Sequence, residues 1–152
     1  MKLVKNLMKK KVVCFRPDNS IFKVAKTFSS EGISGAPVVE KGRVVGIVSE
    51  TDLIKFIKMQ TTQLPHPEFG LSLSLLDILR RYLSLQKQLK NISKVKVCSV
   101  MNKNVVSVSP EATLVEAADL MDKHDIHRLP VVDKGKLVGI ISRADLIRSL
   151  IK

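Results

Sequence analysis

The sequence predicts an α/β (α+β) protein made of two copies of one β-α-β-β-α unit, and three observations predict it. The first is an internal repeat without a gap, in which Met8 aligns with Met101, 93 positions on, and the register holds to the end of the sequence. The second is that each copy runs from a helix-period segment into two β-rich runs split by a glycine turn. The third is size. At 152 residues and 45% hydrophobic content, the chain suffices for one domain or for two small halves sharing a core.

Each copy opens on a short strand, Val12 to Phe15 in the first, with Val105-Val106 matching Val12-Val13 in the second. Pro17-Asp18 and Ser20 then supply turn and helix-start chemistry, with Pro110 in the place of Pro17. The following helix carries Ile21, Val24, Ala25 and Phe28 at helical spacing, with Leu114, Ala117, Ala118 and Met121 in the second copy. Glu31-Gly32 closes it, because glycine tolerates the left-handed conformation that follows a last turn. Ala36 to Val39 and Val44 to Val48 flank Glu40-Lys41-Gly42-Arg43, which reads as a hairpin; Asp133-Lys134-Gly135-Lys136 repeats it. A final helix starts with an acidic residue in its first turn, Asp52 to Ile57 and Asp145 to Leu150. Two such copies, each with an apolar face to bury, are expected to pack about a pseudo-twofold axis with a ligand cleft between them.

Pro37-Val38-Val39 and Val45-Gly46-Ile47 with Ser49 and Asp52 recur as Pro130-Val131-Val132 and Val138-Gly139-Ile140 with Ser142 and Asp145. This arrangement resembles the CBS domain family, two copies of which form a Bateman module. The resemblance covers residues 3–58 and 96–152, leaving 59–95 as an inter-repeat segment. It implies a regulatory ligand holding adenosine, namely AMP, ADP, ATP or S-adenosylmethionine. It also implies that the carboxylates of Asp52 and Asp145 take the ribose hydroxyls, with Ser49 and Ser142 beside the sugar or an adjacent phosphate. Ser-x-x-Asp is equally an ordinary capping box, and both roles can coexist.

Ile126-His127-Arg128-Leu129-Pro130 is similar to the corresponding loop of the nucleotide-sensing γ subunit of AMP-activated protein kinase, which implies phosphate contacts for His127 and Arg128. A guanidinium offers a planar fork to phosphate oxygens and an imidazole adds a donor. The first copy has Ser34 and Gly35 there, so the half-sites are chemically unequal, with Ser34 as the candidate phosphate contact. A solvated loop is the alternative. Ile33, Ile47, Ile126 and Ile140, with Lys10 and Lys103, match positions that line the base in that family. A sheet core needs such isoleucines as well.

In the inter-repeat segment, Thr61-Thr62, Pro65 and Pro67 predict an irregular stretch. Leu71, Leu75, Ile78, Tyr82, Leu85, Leu89 and Ile92 then fall at alternating spacings of four and three, which predicts an amphipathic helix over about residues 72–93. Leu76, Leu79 and Leu83 widen its stripe, so it must pack on something: its own repeats, a second copy in a homodimer or, given its basic residues, a membrane surface.

The formal charge of +12 implies attraction to a polyanion or a phosphorylated small molecule. Lys9-Lys10-Lys11 keeps nucleic acid as the alternative partner, although aromatic content of 4% supplies no stacking platform. Cys14 and Cys98, without metal-ligand spacing, are expected to be reduced and buried. No apolar run is long enough for a membrane span or a leader, which predicts a cytoplasmic protein. Without a catalytic triad, paired carboxylates or a glycine-rich phosphate loop, the chain is expected to be no enzyme and to signal conformationally to a regulated partner. No metal or catalytic cofactor is expected.

Overall fold

In the computed structural model the residues described are 1–61, 83, 86–87 and 90–152. Two helix-strand-strand-helix series follow one another: α1 (Ile21–Glu31), β1 (Gly35–Glu40), β2 (Arg43–Ser49) and α2 (Glu50–Thr61), then α3 (Leu114–Lys123), β3 (Arg128–Asp133), β4 (Lys136–Ser142) and α4 (Arg143–Ser149). Each is preceded by a short 3-10 turn, Val4–Asn6 and Val97–Ser99. Residues 83, 86–87 and 90–92 are helical; the rest of the helix expected over 72–93 lies outside the described residues.

The expected opening strand of each repeat is a single bridge residue. Phe15 pairs in parallel with Val38 and Val108 with Val131. Phe15 N donates to the Pro37 carbonyl at 3.0 Å, and the Phe15 carbonyl accepts from Val39 N at 2.7 Å. Extending this ladder backward would need an N–H from Pro37, and extending it forward would need one from Pro17; neither exists. Pro130 and Pro110 end the Val108 ladder in the same way. Cys14, one residue before inward-facing Phe15, is accordingly exposed, and Cys98 is half-buried, so neither cysteine is the buried residue expected.

Local chemistry accounts for the helices. The Ser20 hydroxyl accepts from Lys23 N, and Gly32 ends α1 at φ 63° with its N–H on the Phe28 carbonyl. Thr113 and Glu116 form a reciprocal capping box on α3. The Thr113 amide and hydroxyl, both donating to the Glu116 carboxylate, hold its pKa below the ordinary glutamate value. Ile21, Val24 and Phe28 are buried in α1, as are Ala117 and Met121 in α3. Ala25 and Ala118, expected on the same stripe, are exposed. In both hairpins the two central residues have positive φ, Lys41 and Gly42 at 52° and 80°, Lys134 and Gly135 at 49° and 81°. That is the turn whose twist suits a two-residue hairpin. β3 and β4 are antiparallel, with a bulge that leaves Val138 unpaired between Gly139 and Leu137.

The chain divides into two compact units that cut across the repeats. Unit 1 comprises Met1–Pro17, Ala36–Ile47 and Asn102–Lys152. Its core is Val4, Val108, Ala117, Met121, Leu129, Val131 and Ile141, with Leu7, Met8, Leu114 and Leu146 packed on it. Here the leading segment of the first repeat serves the second. Leu3 bridges Thr113 and Lys9 bridges Ile140, while Asn102, the repeat equivalent of Lys9, bridges Ile47, the equivalent of Ile140. Gly139 permits this approach, since a Cβ there would stand 3.0 Å from the Lys9 carbonyl and 2.6 Å from Met8 Sδ. Unit 2 comprises Asp18–Gly35 and Val48–Met101. In it Ser20 bridges Lys96, and Ile21, Val24, Phe28, Val48 and Val97 are buried.

Candidate functional site

The loop from β4 into α4 is built by a short-range exchange. Ser142 accepts from Asp145 N at 3.3 Å, while one oxygen of Asp145, Oδ2, accepts from Ser142 N at 2.9 Å and from its hydroxyl at 2.7 Å. Oδ1 accepts from the Arg148 guanidinium at 2.6 Å. Asp145 is only 7% exposed, a buried carboxylate whose two oxygens are both engaged, as burial of a charge requires. In unit 2, Asp52 repeats the box: Oδ2 accepts from Ser49 N at 2.8 Å and from its hydroxyl at 3.0 Å. Capping is thus realised in both copies and occupies Oδ2 of each carboxylate, while Oδ1 of Asp145 is held by Arg148.

Strand pairing brings the candidate phosphate residues to this loop. Arg128 is the register partner of Ser142, and Arg143 N donates to the His127 carbonyl at 2.9 Å. Ile126, His127, Arg128, Ser142 and Asp145 therefore lie on adjoining ends of β3 and β4, with His127 exposed and Arg128 half-buried. Ile140 and Lys9 exchange both backbone hydrogen bonds, at 2.9 and 3.0 Å, which carries exposed Lys10 alongside β4. Asn102 and Ile47 do the same at 2.9 and 2.8 Å, carrying exposed Lys103 alongside β2. In unit 2, Glu50 N donates to the Ser34 carbonyl at 2.9 Å, so Ile33 and Ser34 adjoin Ser49 and Asp52 as their counterparts do in unit 1.

Two residues of this loop were not singled out by sequence. Arg143 donates from Nε to the Ile126 carbonyl at 3.0 Å and from Nη2 to the Met121 carbonyl at 3.3 Å, with Asp125 Oδ1 at 3.7 Å. It ties the end of α3 to the start of α4. Asp125 itself has φ 50°, at the position that Gly32 occupies in the first repeat. The readable signal was the mismatch of Glu50 against Arg143 in an otherwise close repeat. Arg148 is the second, facing Lys55 in the repeat alignment.

Among the described residues no cluster of histidine, cysteine or carboxylate side chains is suited to hold a metal ion, and no helix is long and apolar enough to cross a membrane.

Comparison with known proteins gives this geometry a context. Protein MJ1426 of Methanocaldococcus jannaschii is 42% identical over 98% of this chain and 91% of its own length. A CBS domain-containing protein of Dictyostelium discoideum is 31% identical over 99% and 92%. Among solved structures, protein MJ1225 of Methanocaldococcus jannaschii, whose description relates it to the γ subunit of AMP-activated protein kinase, matches with a TM-score of 0.76 at 25% identity, over 98% of this chain and 48% of that one. CBSX2, solved in complex with AMP, matches with a TM-score of 0.73 at 23% identity, over 99% and 97%. The CBS domain model matches residues 4–59 and 97–152, which together make up most of the sequence, so the chain belongs to the CBS domain family and carries two repeats of it.

Proposed function

We propose that this chain is a regulatory module, not an enzyme, that binds an adenosine-containing ligand at its Ser-x-x-Asp loops and signals through conformation to a partner protein. The observation that carries the reading is the duplicated box, Ser142 with Asp145 and Ser49 with Asp52, each abutting the loop before the preceding strand. Asp52 and Asp145 take the ribose hydroxyls, with Ser49 and Ser142 alongside. His127 and Arg128 take phosphate in the second repeat, where the first offers Ser34. Ile33, Ile47, Ile126, Ile140, Lys10 and Lys103 border the base. AMP in CBSX2, and 5'-methylthioadenosine with S-adenosylmethionine in the structurally similar MJ0100, support adenosine as the common element. AMP, ADP, ATP and S-adenosylmethionine are the ligands to test.

On this reading residues 3–58 and 96–152 are the repeats and 59–95 connect them, in a cytoplasmic homodimer. Exposed apolar residues at matched positions, Ile54 with Ile147 and Ile57 with Leu150, support a second copy as partner. Nucleic acid is the second reading, favoured by the exposure of Lys9, Lys10 and Lys11 together.

Thermal melting separates the two. With AMP, ADP, ATP or S-adenosylmethionine at about 100 times Kd, binding to the native state alone adds about 2.7 kcal/mol, a rise in melting temperature of several degrees. A rise with an oligonucleotide, lost steeply with salt, and none with any adenosine ligand would replace the first reading by the second.

A further inference from the structure

The two ribose loops differ in a residue that neither capping nor the phosphate loop explains. Asp145 Oδ2 is filled by Ser142, so Oδ1 is the oxygen left for a diol, and Arg148 sits on it at 2.6 Å. The pair is lopsided in burial, with the Arg148 side chain 60% exposed and that of Asp145 8%. The arginine can leave; the carboxylate cannot. At the matching position the first repeat has Lys55, which makes no ion pair with Asp52 among the described residues.

Resting on the reading of Asp145 as the ribose carboxylate, we propose that Arg148 is a specificity-determining residue that makes the second repeat's site select phosphorylated over neutral nucleosides. A neutral diol approaching Oδ1 must replace an ion pair, in which donor and acceptor are both charged, by hydrogen bonds whose donors are neutral, and it leaves a guanidinium without its counter-ion. A phosphate on the same ligand changes the balance, because the released fork meets a second anion with the geometry it suits. Arg148 therefore opposes adenosine and favours AMP. Asp52, with no such cation on its outer oxygen, lacks this discrimination. The first-repeat site accepts neutral and phosphorylated ligands more evenly.

The test is calorimetric titration of AMP and adenosine into Asp52→Ala protein, which leaves the second site alone to be read. Adding Arg148→Met is expected to tighten adenosine and weaken AMP, so that the AMP-to-adenosine affinity ratio falls roughly tenfold, the size of one charge-assisted hydrogen bond. Arg148→Lys keeps the charge without the fork and is expected to fall between. A ratio that changes by less than about twofold, within the scatter of an uninvolved surface position, overturns the proposal while AMP binding itself persists. If neither ligand binds the Asp52→Ala protein, or if both bind equally well after Asp145→Ala is added, the ribose reading fails and the proposal with it.

Discussion

Leu129→Ala lowers the free energy of unfolding by about 2–5 kcal/mol, the range for a buried leucine cut back in a core that cannot fully collapse. Leu129 is fully buried in β3, its register partner Ile141 is fully buried in β4, and both belong to the core cluster with Val4, Met121 and Val131. Val4 comes from the first repeat's leading segment, which is held by the bridges Leu3 to Thr113 and Lys9 to Ile140. A cavity at Leu129 therefore loosens the segment that runs beside β4 as well as the second repeat itself. Val115, 69% exposed on α3, is the control; Val115→Ala is expected to stay within about 0.5 kcal/mol. Urea denaturation of the two variants checks the pair. Equal costs would place the core elsewhere.

Asp145→Ala has the largest effect expected on binding. It removes the acceptor for the ribose, and hydrogen bonds to a charged group are each worth about 1.5–3 kcal/mol, so AMP affinity at the second site falls roughly ten- to a hundredfold. The same substitution removes the N3 half of the α4 capping box, while the Ser142 hydroxyl can still accept from the residue-145 amide, so stability falls as well. Because these two losses have different origins, Asp145→Asn is the informative companion. It retains an oxygen for Ser142 and so part of the cap, while the charge that draws the diol is gone. Calorimetric titration in an Asp52→Ala background should show both variants weak toward AMP, with only Asp145→Ala clearly destabilised in thermal melting. Full AMP affinity in both would assign the carboxylate to capping alone.

Much of this was written in residue order. The 93-position repeat, the caps at Ser20 and Gly32, the paired-glycine turns and the Ser-x-x-Asp boxes are local, and each depends on side chains within a few positions of one another. The proximity of His127 and Arg128 to Asp145 needed the β3–β4 register, which the hairpin turn fixes. Three features escaped. The opening strands shrank to Phe15 and Val108 because the prolines that block their ladders lie partly on the partner strand, so the missing N–H is seen only once the pairing is known. The reciprocal bridges of Lys9 with Ile140 and Asn102 with Ile47 join residues more than fifty positions apart, and no local pattern encodes them. Arg143 and Arg148 carry no signal in a local pattern; only their partners, the Met121 and Ile126 carbonyls and Asp145, give them roles.

The central claim is that an adenosine ligand is held by the duplicated Ser-x-x-Asp loops. Isothermal titration of the unaltered protein with AMP, ADP, ATP and S-adenosylmethionine tests it most directly. The expected result is saturable binding of at least one of them that disappears when Asp52→Ala and Asp145→Ala are combined. Heat no greater than dilution for all four ligands, or binding undiminished in that double variant, would contradict it.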